Sequence, residues 1–323
     1  MTDSAIDTEC RKFPGKWEWL GMACEADAVV VAHVAGGEAR PRVLQIWHAR
    51  VNAGGGPINP QLARIRAFRA AMGGKIARKV PCSIVLENAD YEVLTPDEPD
   101  LKDVDDFQKM QALRWTLQPL VNFSVEHASI DVLIPSAVGR RQVMAVVAPE
   151  SAISPWMRAG FDEGIKLSAI DVPETAQRNL AHLAESGTRA LAMLVLSEGK
   201  ALLTLSAAGQ LLMTRQIEIG DVQQLANDSR MRDRLSLEVQ RTLDNFERQS
   251  GRSGAVQMLV APAALASAIT EHLAVALGFP VESLTPALLM KMLDVASQVQ
   301  VGASEWGHLD LLAIGAACRG ANP

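Results

Sequence analysis

The histidines and cysteines of this sequence do not lie at the spacings that metal sites or catalytic centres require. The four cysteines are Cys10, Cys24, Cys82 and Cys318. They are far apart and form no Cys-x-x-Cys pair, which is typical of reduced, buried thiols. The six histidines show no ligand spacing. The glycine-rich phosphate loops and the H-E-x-x-H and G-x-S-x-G motifs are also absent, so we expect neither a metal site nor these catalytic chemistries.

Charged side chains are distributed unevenly along the chain. A basic cluster contains six cations with no acid between them: Arg64, Arg66, Arg69, Lys75, Arg78 and Lys79. Residues 87–106 then hold nine acids, opposed only by Lys102. The basic cluster is either a solvated surface or a contact with anionic lipid of the inner membrane leaflet. A net charge of −6 and a pI near 5.6 argue against nucleic acid as a partner, because phosphate binding requires a basic surface.

The adjacent residues Arg114 and Trp115 have the side-chain types that dominate binding hot spots in protein interfaces. They are therefore candidates for anchoring a peptide partner. The alternative is that Trp115 packs in the core beneath its own helix. We expect that helix over residues 104–117, with Val104, Phe107, Met110 (or Gln111) and Arg114-Trp115 along one side.

Two similar sets of strands are the elements that would position these residues. The first set is predicted at 17–24, 28–35 and 42–49, and the second at 190–197, 200–206 and 210–219. Glu198-Gly199 and Ala208-Gly209 are turn pairs within the second set. Two meanders about 170 residues apart predict two similar halves.

Helices and further strands fill the rest of the chain. Besides 104–117, helices are predicted at 60–72, 154–161, 176–187, 233–249, 262–277, 286–299 and 309–318, and strands at 81–86, 91–94, 127–134, 143–147 and 256–260. Asn59-Pro60 and Thr285-Pro286 are N-cap and first-turn pairs that start two of these helices. Strands alternating with helices predict an α/β fold.

The sequence also indicates the compartment. No stretch of 18 or more residues is strongly apolar and free of charge, so we expect no membrane span. The first residues carry Asp3, Asp7 and Glu9 and lack the basic start and apolar core of an export signal. We therefore expect a cytoplasmic protein whose residues 1–16 form a mobile leader.

Several segments together resemble a known family. Residues 82–94 (Cys-Ser-Ile-Val-Leu-Glu-Asn-Ala-Asp-Tyr-Glu-Val-Leu) and 111–131 resemble MshI-like proteins of mannose-sensitive haemagglutinin (MSHA) pilus biogenesis, and more distantly the PilM-related actin-like family. Residues 171–179, 209–217, 238–243 and 313–319 resemble further segments of that family in the same order. Each match is short, but their order and spacing make the set specific, and it runs from about Trp17 to Arg319.

This resemblance implies an actin-like, ribonuclease-H-like fold of two lobes with a subdomain inserted in the first lobe. The first lobe would comprise residues 17–79 with 171–189 and 303–323, the inserted subdomain residues 80–170, and the second lobe residues 190–302. Two strand meanders, one in each lobe, agree with this division.

The resemblance also implies a role and partners. PilM-like proteins lie at the cytoplasmic face of the inner membrane, bind the N-terminal tail of a bitopic PilN-like protein and link the assembly platform to the pilus motor. The L component of type II secretion has a similar cytoplasmic domain and is an alternative identity. Because no membrane helix is predicted here, the pilus arrangement fits better.

Whether ATP binds depends on the turns that hold its phosphates in actin-like ATPases. In the ATP-binding members of the family that this chain resembles, the first hairpin has a "G-x-D-x-G-S" pattern. Here the corresponding residues 21–26 are Gly-Met-Ala-Cys-Glu-Ala. Ala23 replaces the carboxylate and Glu25 replaces the glycine. At the second turn, residues 194–199 are Leu-Val-Leu-Ser-Glu-Gly where "V-D-I-G" is expected.

A third departure concerns the adenosine side, where the family's "G-G" is replaced by Ala261-Pro262 and proline removes a backbone donor. The altered positions are Ala23, Cys24, Glu25, Ser197, Glu198, Gly199, Ala261 and Pro262. We therefore expect a degenerate actin-like ATPase that acts as a scaffold without cofactor. The alternative is an ATP-binding protein whose nucleotide state regulates pilus assembly, with Glu25, Asp27 and Glu198 as a rearranged magnesium shell.

Overall fold

A computed structural model describes residues 17–37, 40–51, 59–97, 105–133, 143–185, 187, 189–251, 254–267, 269–297, 299 and 306–321. The strands are β1 (Glu18–Glu25), β2 (Ala28–Ala35), β3 (Arg42–Arg50), β4 (Cys82–Val85), β5 (Glu92–Leu94), β6 (Ser129–Leu133), β7 (Met144–Ala148), β8 (Leu167–Asp171), β9 (Ala190–Ser197), β10 (Gly199–Ala207), β11 (Gln210–Gly220), β12 (Ala255–Ala261), β13 (Val281–Ser283) and β14 (Asp294–Val295). The helices are α1 (Pro60–Met72), α2 (Gly74–Lys79), α3 (Asp106–Leu117), α4 (Glu150–Asp162), α5 (Pro173–His182), α6 (Ser229–Ser250), α7 (Ala263–Ala266), α8 (Thr270–Leu277), α9 (Pro286–Met292) and α10 (His308–Ala317).

These strands form three sheets. The first has the order β14-β3-β2-β1-β4-β8, the second β11-β10-β9-β12-β13, and the third β5-β7-β6. An antiparallel meander followed by parallel strands is common to the first two: β1–β2–β3 with β4 and β8, and β9–β10–β11 with β12 and β13. The two meanders predicted from the sequence are therefore confirmed.

Strand β2 shows why the first sheet is buried on both sides. Its sequence, Ala-Val-Val-Val-Ala-His-Val-Ala, is apolar in almost every position, as expected of a strand covered on both faces. Val29 and Val31 pack on the side that holds α1 and α4, whereas Val30 and Val34 pack on the side that holds α5 and α10. Successive side chains alternate between the two faces, so each core receives every second residue.

Helices α5 and α10 lie in a core that both large sheets share. This core contains Val30 and Val43 of the first sheet together with Met193 and Leu259 of the second. Small residues let the backbones approach closely. A Cβ atom on Gly315 of α10 would lie 2.1 Å from the Ala176 carbonyl oxygen of α5.

The third sheet packs with α3 around a small separate core. Leu113 and Leu117 of α3 are buried there against strand residues such as Ala145 and Val147. On the predicted apolar side of this helix, Met110 packs against this core, but Phe107 is 71% exposed, so that part of the prediction is wrong. Val104, which was predicted on the same side, lies outside the described residues.

Several predicted element boundaries are wrong. The helix predicted at 154–161 already starts at Glu150, and Pro155 lies inside it. The helix predicted at 262–277 is two helices, α7 and α8. The helix predicted at 286–299 ends at Met292, because the next residues form β14 and pair with β3. The helix predicted at 176–187 is α5, which begins at Pro173 and ends at His182.

The predicted lobe boundaries remain a prediction. Within residues 80–170, the strands β5, β6 and β7 form the third sheet, whereas β4 and the start of β8 belong to the first sheet. The predicted leader, residues 1–16, lies outside the described part of the chain. No described helix combines the length and hydropathy needed to cross a bilayer.

Candidate functional site

A cleft of about 250 Å³ lies between the first hairpin turns of the two large sheets. From the β1–β2 side it is lined by Cys24 and Glu25, and from the β9–β10 side by Ser197, Glu198 and Lys200. Other lining residues come from the start of α5, the start of α10 and the segment after β4: Pro173, Gln177, His308, Leu309, Leu312, Leu86, Glu87, Asn88 and Ala89. The two hairpin turns that the resemblance implies for phosphate binding thus line one cleft.

Each hairpin turn has a residue in the left-handed region of backbone space. In the first turn this is Ala26, with φ of 48°, and in the second it is Gly199, with φ of 75°. Glycine adopts this conformation without steric cost, whereas alanine is strained there. The first turn is held from outside by Arg64 of α1, whose Nη2 donates to the Ala26 carbonyl oxygen at 3.2 Å.

Carboxylates and cations alternate around the cleft. His308 lies 2.8 Å from the Glu25 carboxylate, and this hydrogen bond lowers the pKa of Glu25. Arg64 donates to Glu87 at 2.6 Å. Neither Glu198 nor Lys200 has an ion-pair partner within the described ranges. Three carboxylates, Glu25, Glu87 and Glu198, therefore line the cleft, and two of them already have a basic side chain as partner.

Gln177 forms one wall of the cleft and ties α5 to the second sheet. It is 2% exposed, and its Nε2 donates to the carbonyl oxygens of Met193 at 2.7 Å and Leu202 at 3.1 Å. The same nitrogen donates to Thr204 Oγ1 at 2.9 Å. Its Oε1 is buried without a hydrogen-bond partner in the described structure. The amide nitrogen of Gln177 therefore joins α5 to the second sheet, whereas its amide oxygen has no donor among the described residues.

The remaining predicted turn positions are not part of the cleft lining. Ala23 and Ala261 are buried in the core that the two sheets share. Pro262 is buried too, at the end of β12. Burial raises the pKa of the Cys24 thiol to about 12, so this lining residue is a poor nucleophile. Asp27, a magnesium ligand in the alternative prediction, forms an ion pair with Arg50 at 3.2 Å.

The cleft fits a magnesium nucleotide poorly. Its volume lies below the roughly 300–1,000 Å³ typical of small-molecule pockets. Phosphate recognition uses backbone N–H groups and cations, whereas Glu25, Glu87 and Glu198 add negative charge here. In the described ranges, no three His, Cys, Asp or Glu side chains are placed to hold a metal ion.

In the basic cluster, the charges of Arg64, Arg66 and Arg69 are offset by nearby carboxylates. Arg66 Nε and Arg69 Nη1 donate to the two oxygens of Glu163 at 2.8 and 2.7 Å, and these bonds lower the pKa of that carboxyl. Arg64 is engaged by Glu87, as described above. The second half is different: Lys75, Arg78 and Lys79 are exposed and have no acidic partner in the described structure. Sequence neighbours alone did not reveal these distant acids.

The two predicted anchor residues, Arg114 and Trp115, have different surroundings: Arg114 is bonded to a loop and Trp115 is exposed. The guanidinium of Arg114 donates to the carbonyl oxygens of Val125 and Ala128 and so holds the loop before β6. Trp115 is 81% exposed, so the alternative that it packs in the core is wrong. Phe107 lies two helical turns earlier on the same side of α3. The sequence predicted that these residues share one side of the helix, but it contained no sign that Phe107 and Trp115 are exposed.

No family model and no curated protein matches the chain. Among solved structures it is similar to a chain of the PilM–PilN type IV pilus biogenesis complex, with a TM-score of 0.70 and 20% identity over 96% of this chain and 100% of that chain. A Bacteroides thetaiotaomicron protein with an actin-like ATPase fold and unknown function is similar at a TM-score of 0.50 and 10% identity, over 86% and 95% of the two chains. The cytoplasmic domain of EpsL, an inner-membrane component of the Vibrio cholerae type II secretion system, gives a TM-score of 0.47 at 10% identity, over 93% and 94%. At such identities the likeness establishes the fold, and the chain has the predicted actin-like α/β fold.

Proposed function

We propose that the protein is an actin-like scaffold in the assembly platform of a type IV, MSHA-like pilus. It lies in the cytoplasm at the inner membrane, binds the cytoplasmic tail of a PilN-like bitopic protein and links the platform to the pilus motor. The supporting observation is the similarity to a chain of the PilM–PilN complex along almost the whole length of both chains. The motif order in residues 82–319 points in the same direction.

We further propose that the scaffold does not hydrolyse ATP. The argument rests on the cleft, where Glu25 and Glu198 stand at the two turns and Ala23 offers no carboxylate for a hydrated magnesium ion. Like charges repel phosphate oxygens, and this repulsion is strong where water is partly excluded. A second function, regulation by bound nucleotide, is favoured only by the position of the cleft between the two hairpins and by the unpaired Lys200 beside it.

The exposed stripe on α3 is the proposed contact for the tail. Phe107 and Trp115 present large apolar surfaces to solvent on one side of the helix, at 71% and 81% exposure. Large exposed apolar side chains mark protein contacts more often than isolated small ones. Arg114 supports this surface from below through its bonds to the loop at 125–128.

Isothermal titration calorimetry with a synthetic tail of the PilN-like protein tests the proposal. We expect saturable binding in the absence of nucleotide and an unchanged affinity when Mg-ATP is present. A phosphate-release assay with the tail bound should show no turnover above buffer. Absent tail binding would reject the scaffold function, whereas binding only with Mg-ATP would favour the nucleotide-regulated alternative.

A further inference from the structure

Helix α4 exposes two large apolar side chains on its outer side. Met157 is 57% exposed and Phe161 is 86% exposed. They are four residues apart and therefore neighbours on one helix face. The opposite face is the one that packs, since Trp156 and Ala159 are buried against the first sheet and α1. Nothing in the fold of this helix requires an apolar residue at either exposed position.

Helix α2, which carries three exposed cations, lies beside the C-terminal end of α4. The C-terminal end of α4 leads to Lys166, whose backbone N–H donates to the Ala77 carbonyl oxygen of α2 at 3.0 Å. A methyl group at Gly164 would lie 3.5 Å from Arg78 Nε. Glu163, between them, holds α1 through its two arginine bonds. These contacts place α2 next to the end of α4 at which Phe161 projects.

The charge of this region is opposite to that of the whole protein. Residues 66–79 and 158–166 contain seven cations and two carboxylates, in a chain whose net charge is −6. One of the carboxylates, Glu163, is already bonded to Arg66 and Arg69. The exposed cations without an acidic partner in the described structure are Lys75, Arg78, Lys79, Arg158 and Lys166. The surface therefore combines local positive charge with two projecting apolar groups.

We propose that this α4–α2 surface, formed by Met157, Phe161, Lys75, Arg78 and Lys79, docks on the anionic surface of a lipid bilayer. An aromatic and a thioether side chain can enter the boundary between headgroups and acyl chains while the surrounding cations contact lipid phosphates. Each lysine or arginine near an anionic membrane strengthens binding by about fivefold. The inference deepens the proposed function, because it states which face of the scaffold lies on the membrane.

This assignment differs from the one that the sequence suggests for the basic cluster. Arg64, Arg66 and Arg69 are engaged by carboxylates, so their charge is offset within the protein. The apolar partners of the lipid surface come from α4, some 80 residues further along the chain. Only folding brings the free cations of α2 and the exposed residues of α4 together.

Vesicle co-sedimentation with the full-length protein tests the surface. The wild type should bind vesicles of phosphatidylcholine with about 30% phosphatidylserine, bind pure phosphatidylcholine far more weakly, and lose binding as salt is raised. The variant Lys75→Glu, Arg78→Glu, Lys79→Glu should bind the anionic vesicles on the order of a hundredfold more weakly. The variant Met157→Ser, Phe161→Ser should lose about tenfold or more of its affinity, because both apolar groups leave the membrane boundary.

Matched variants elsewhere on the protein serve as controls. Val275→Ser removes an apolar side chain that is 82% exposed on α8. The triple variant Arg215→Glu, Arg230→Glu, Arg234→Glu reverses three exposed cations near the edge of the second sheet. Neither control should weaken vesicle binding by more than about threefold at moderate salt, where exposed charges beyond a Debye length are screened.

Three results would overturn the lipid surface. The first is failure of the wild type to bind anionic vesicles, and the second is vesicle binding by the α4 and α2 variants that equals that of the wild type. The third is a Met157→Ser, Phe161→Ser variant that keeps vesicle binding but loses self-association in analytical ultracentrifugation. Tail-peptide titrations separate this inference from the proposed function. Vesicle binding without peptide binding would support the lipid surface and reject the scaffold function. Peptide binding without vesicle binding would support the scaffold function and reject the lipid surface.

Discussion

Glu185 illustrates how a single buried carboxylate fixes a turn between two distant elements. Its side chain accepts hydrogen bonds from the Gly209 backbone N–H at 2.8 Å and from His182 Nδ1 at 2.9 Å. Gly209 has φ of 75°, and a Cβ atom added to it would lie only 3.1 Å from the His182 ring. Burial alone would raise the pKa of Glu185, but interactions with His182, Ser206 and Gly209 lower it overall. The segment after α5 is thereby tied to the β10–β11 turn.

The lowered pKa of Glu185 makes part of the stability dependent on pH. The folded protein favours the ionised carboxylate more than the unfolded chain does. Its contribution is therefore complete above the ordinary value of 4.5 and is lost as pH falls through the lowered value. Glu185→Gln should reduce the free energy of unfolding by about 1–3 kcal/mol at pH 7 and by less at pH 3. Urea unfolding at the two pH values measures this, with Glu198→Gln as an exposed control; an equal loss at both would contradict it.

Trp115 is the residue whose substitution best tests partner binding without disturbing the fold. Because it is 81% exposed, Trp115→Ala should leave the unfolding midpoint unchanged. If the side chain is a hot spot, its removal costs about 2 kcal/mol or more, which is roughly a thirtyfold loss of tail affinity. Calorimetric titration measures the affinity, and Val275→Ala on α8 is the matched control. Undiminished binding by the Trp115 variant would place the tail elsewhere.

The sequence predicted the residues of the two hairpin turns but not their partners. Glu25 and Glu198 could be recognised because each acid follows a nearly continuous apolar strand and begins a short turn. His308 is 283 residues away from Glu25, and the acid that neutralises Arg66 and Arg69 is more than 90 residues away from them. Such ion pairs depend on how helices dock against a sheet, which local periodicity does not encode.

At the scale of elements, helix α10 is defined by how closely it can approach its neighbours. Gly315 lies against the backbone of α5, and Asn179 Nδ2 of α5 donates to the Gly315 carbonyl oxygen at 3.0 Å. On the other side, a Cβ atom on Gly21 of β1 would lie 2.0 Å from the Ala313 carbonyl oxygen. The two glycines, Gly315 and Gly21, therefore determine how closely α5 and the first sheet approach α10.

Two helical glycines provide a matched test of this close approach. In Gly315→Ala the new methyl group meets a backbone oxygen that cannot move aside, so we expect a loss of about 1–3 kcal/mol in the free energy of unfolding. In Gly160→Ala of α4 the nearest atoms, at 3.3 Å, belong to the flexible side chain of Leu167. Because alanine has the better helix propensity, that variant should gain up to about 1 kcal/mol. Denaturant unfolding compares the two, and equal effects would contradict the packing argument.

Element boundaries were predicted well where the sequence contains strong local signals and poorly where long-range pairing decides. Helix α1 begins after the Asn59 cap and ends before Gly73, both of which are visible in the sequence. Strand β14 has only two residues, and it exists because the Asp294 N–H reaches the Pro41 carbonyl oxygen. The helix predicted to continue to residue 299 therefore ends at Met292, and the chain pairs with β3 instead. A two-residue edge strand has no period from which it could be predicted.

The whole molecule is organised by the core that joins its two large sheets. Side chains from both sheets pack around α5 and α10 in one apolar cluster, which includes Val30, Leu180, Met193 and Ile314. Opening or closing the cleft by rotation of one sheet against the other would disturb these contacts. Close-packed cores resist such deformation. This connected core suits a rigid scaffold better than an enzyme whose lobes close around a nucleotide.

Thermal unfolding with and without ligands tests this view at the scale of the whole molecule. Because the two sheets share a core, we expect one cooperative transition for both. A tail peptide at a hundred times its Kd adds about 2.7 kcal/mol, which for a chain of 323 residues should raise the midpoint by roughly 4 °C. Mg-ATP at millimolar concentration should leave the midpoint unchanged, because Glu25 and Glu198 occupy the turns where phosphates would bind. A scrambled peptide of equal charge and magnesium alone are the controls. A rise of several degrees with Mg-ATP would show that the altered turns still hold nucleotide, and the nucleotide-regulated function would then replace the one proposed here.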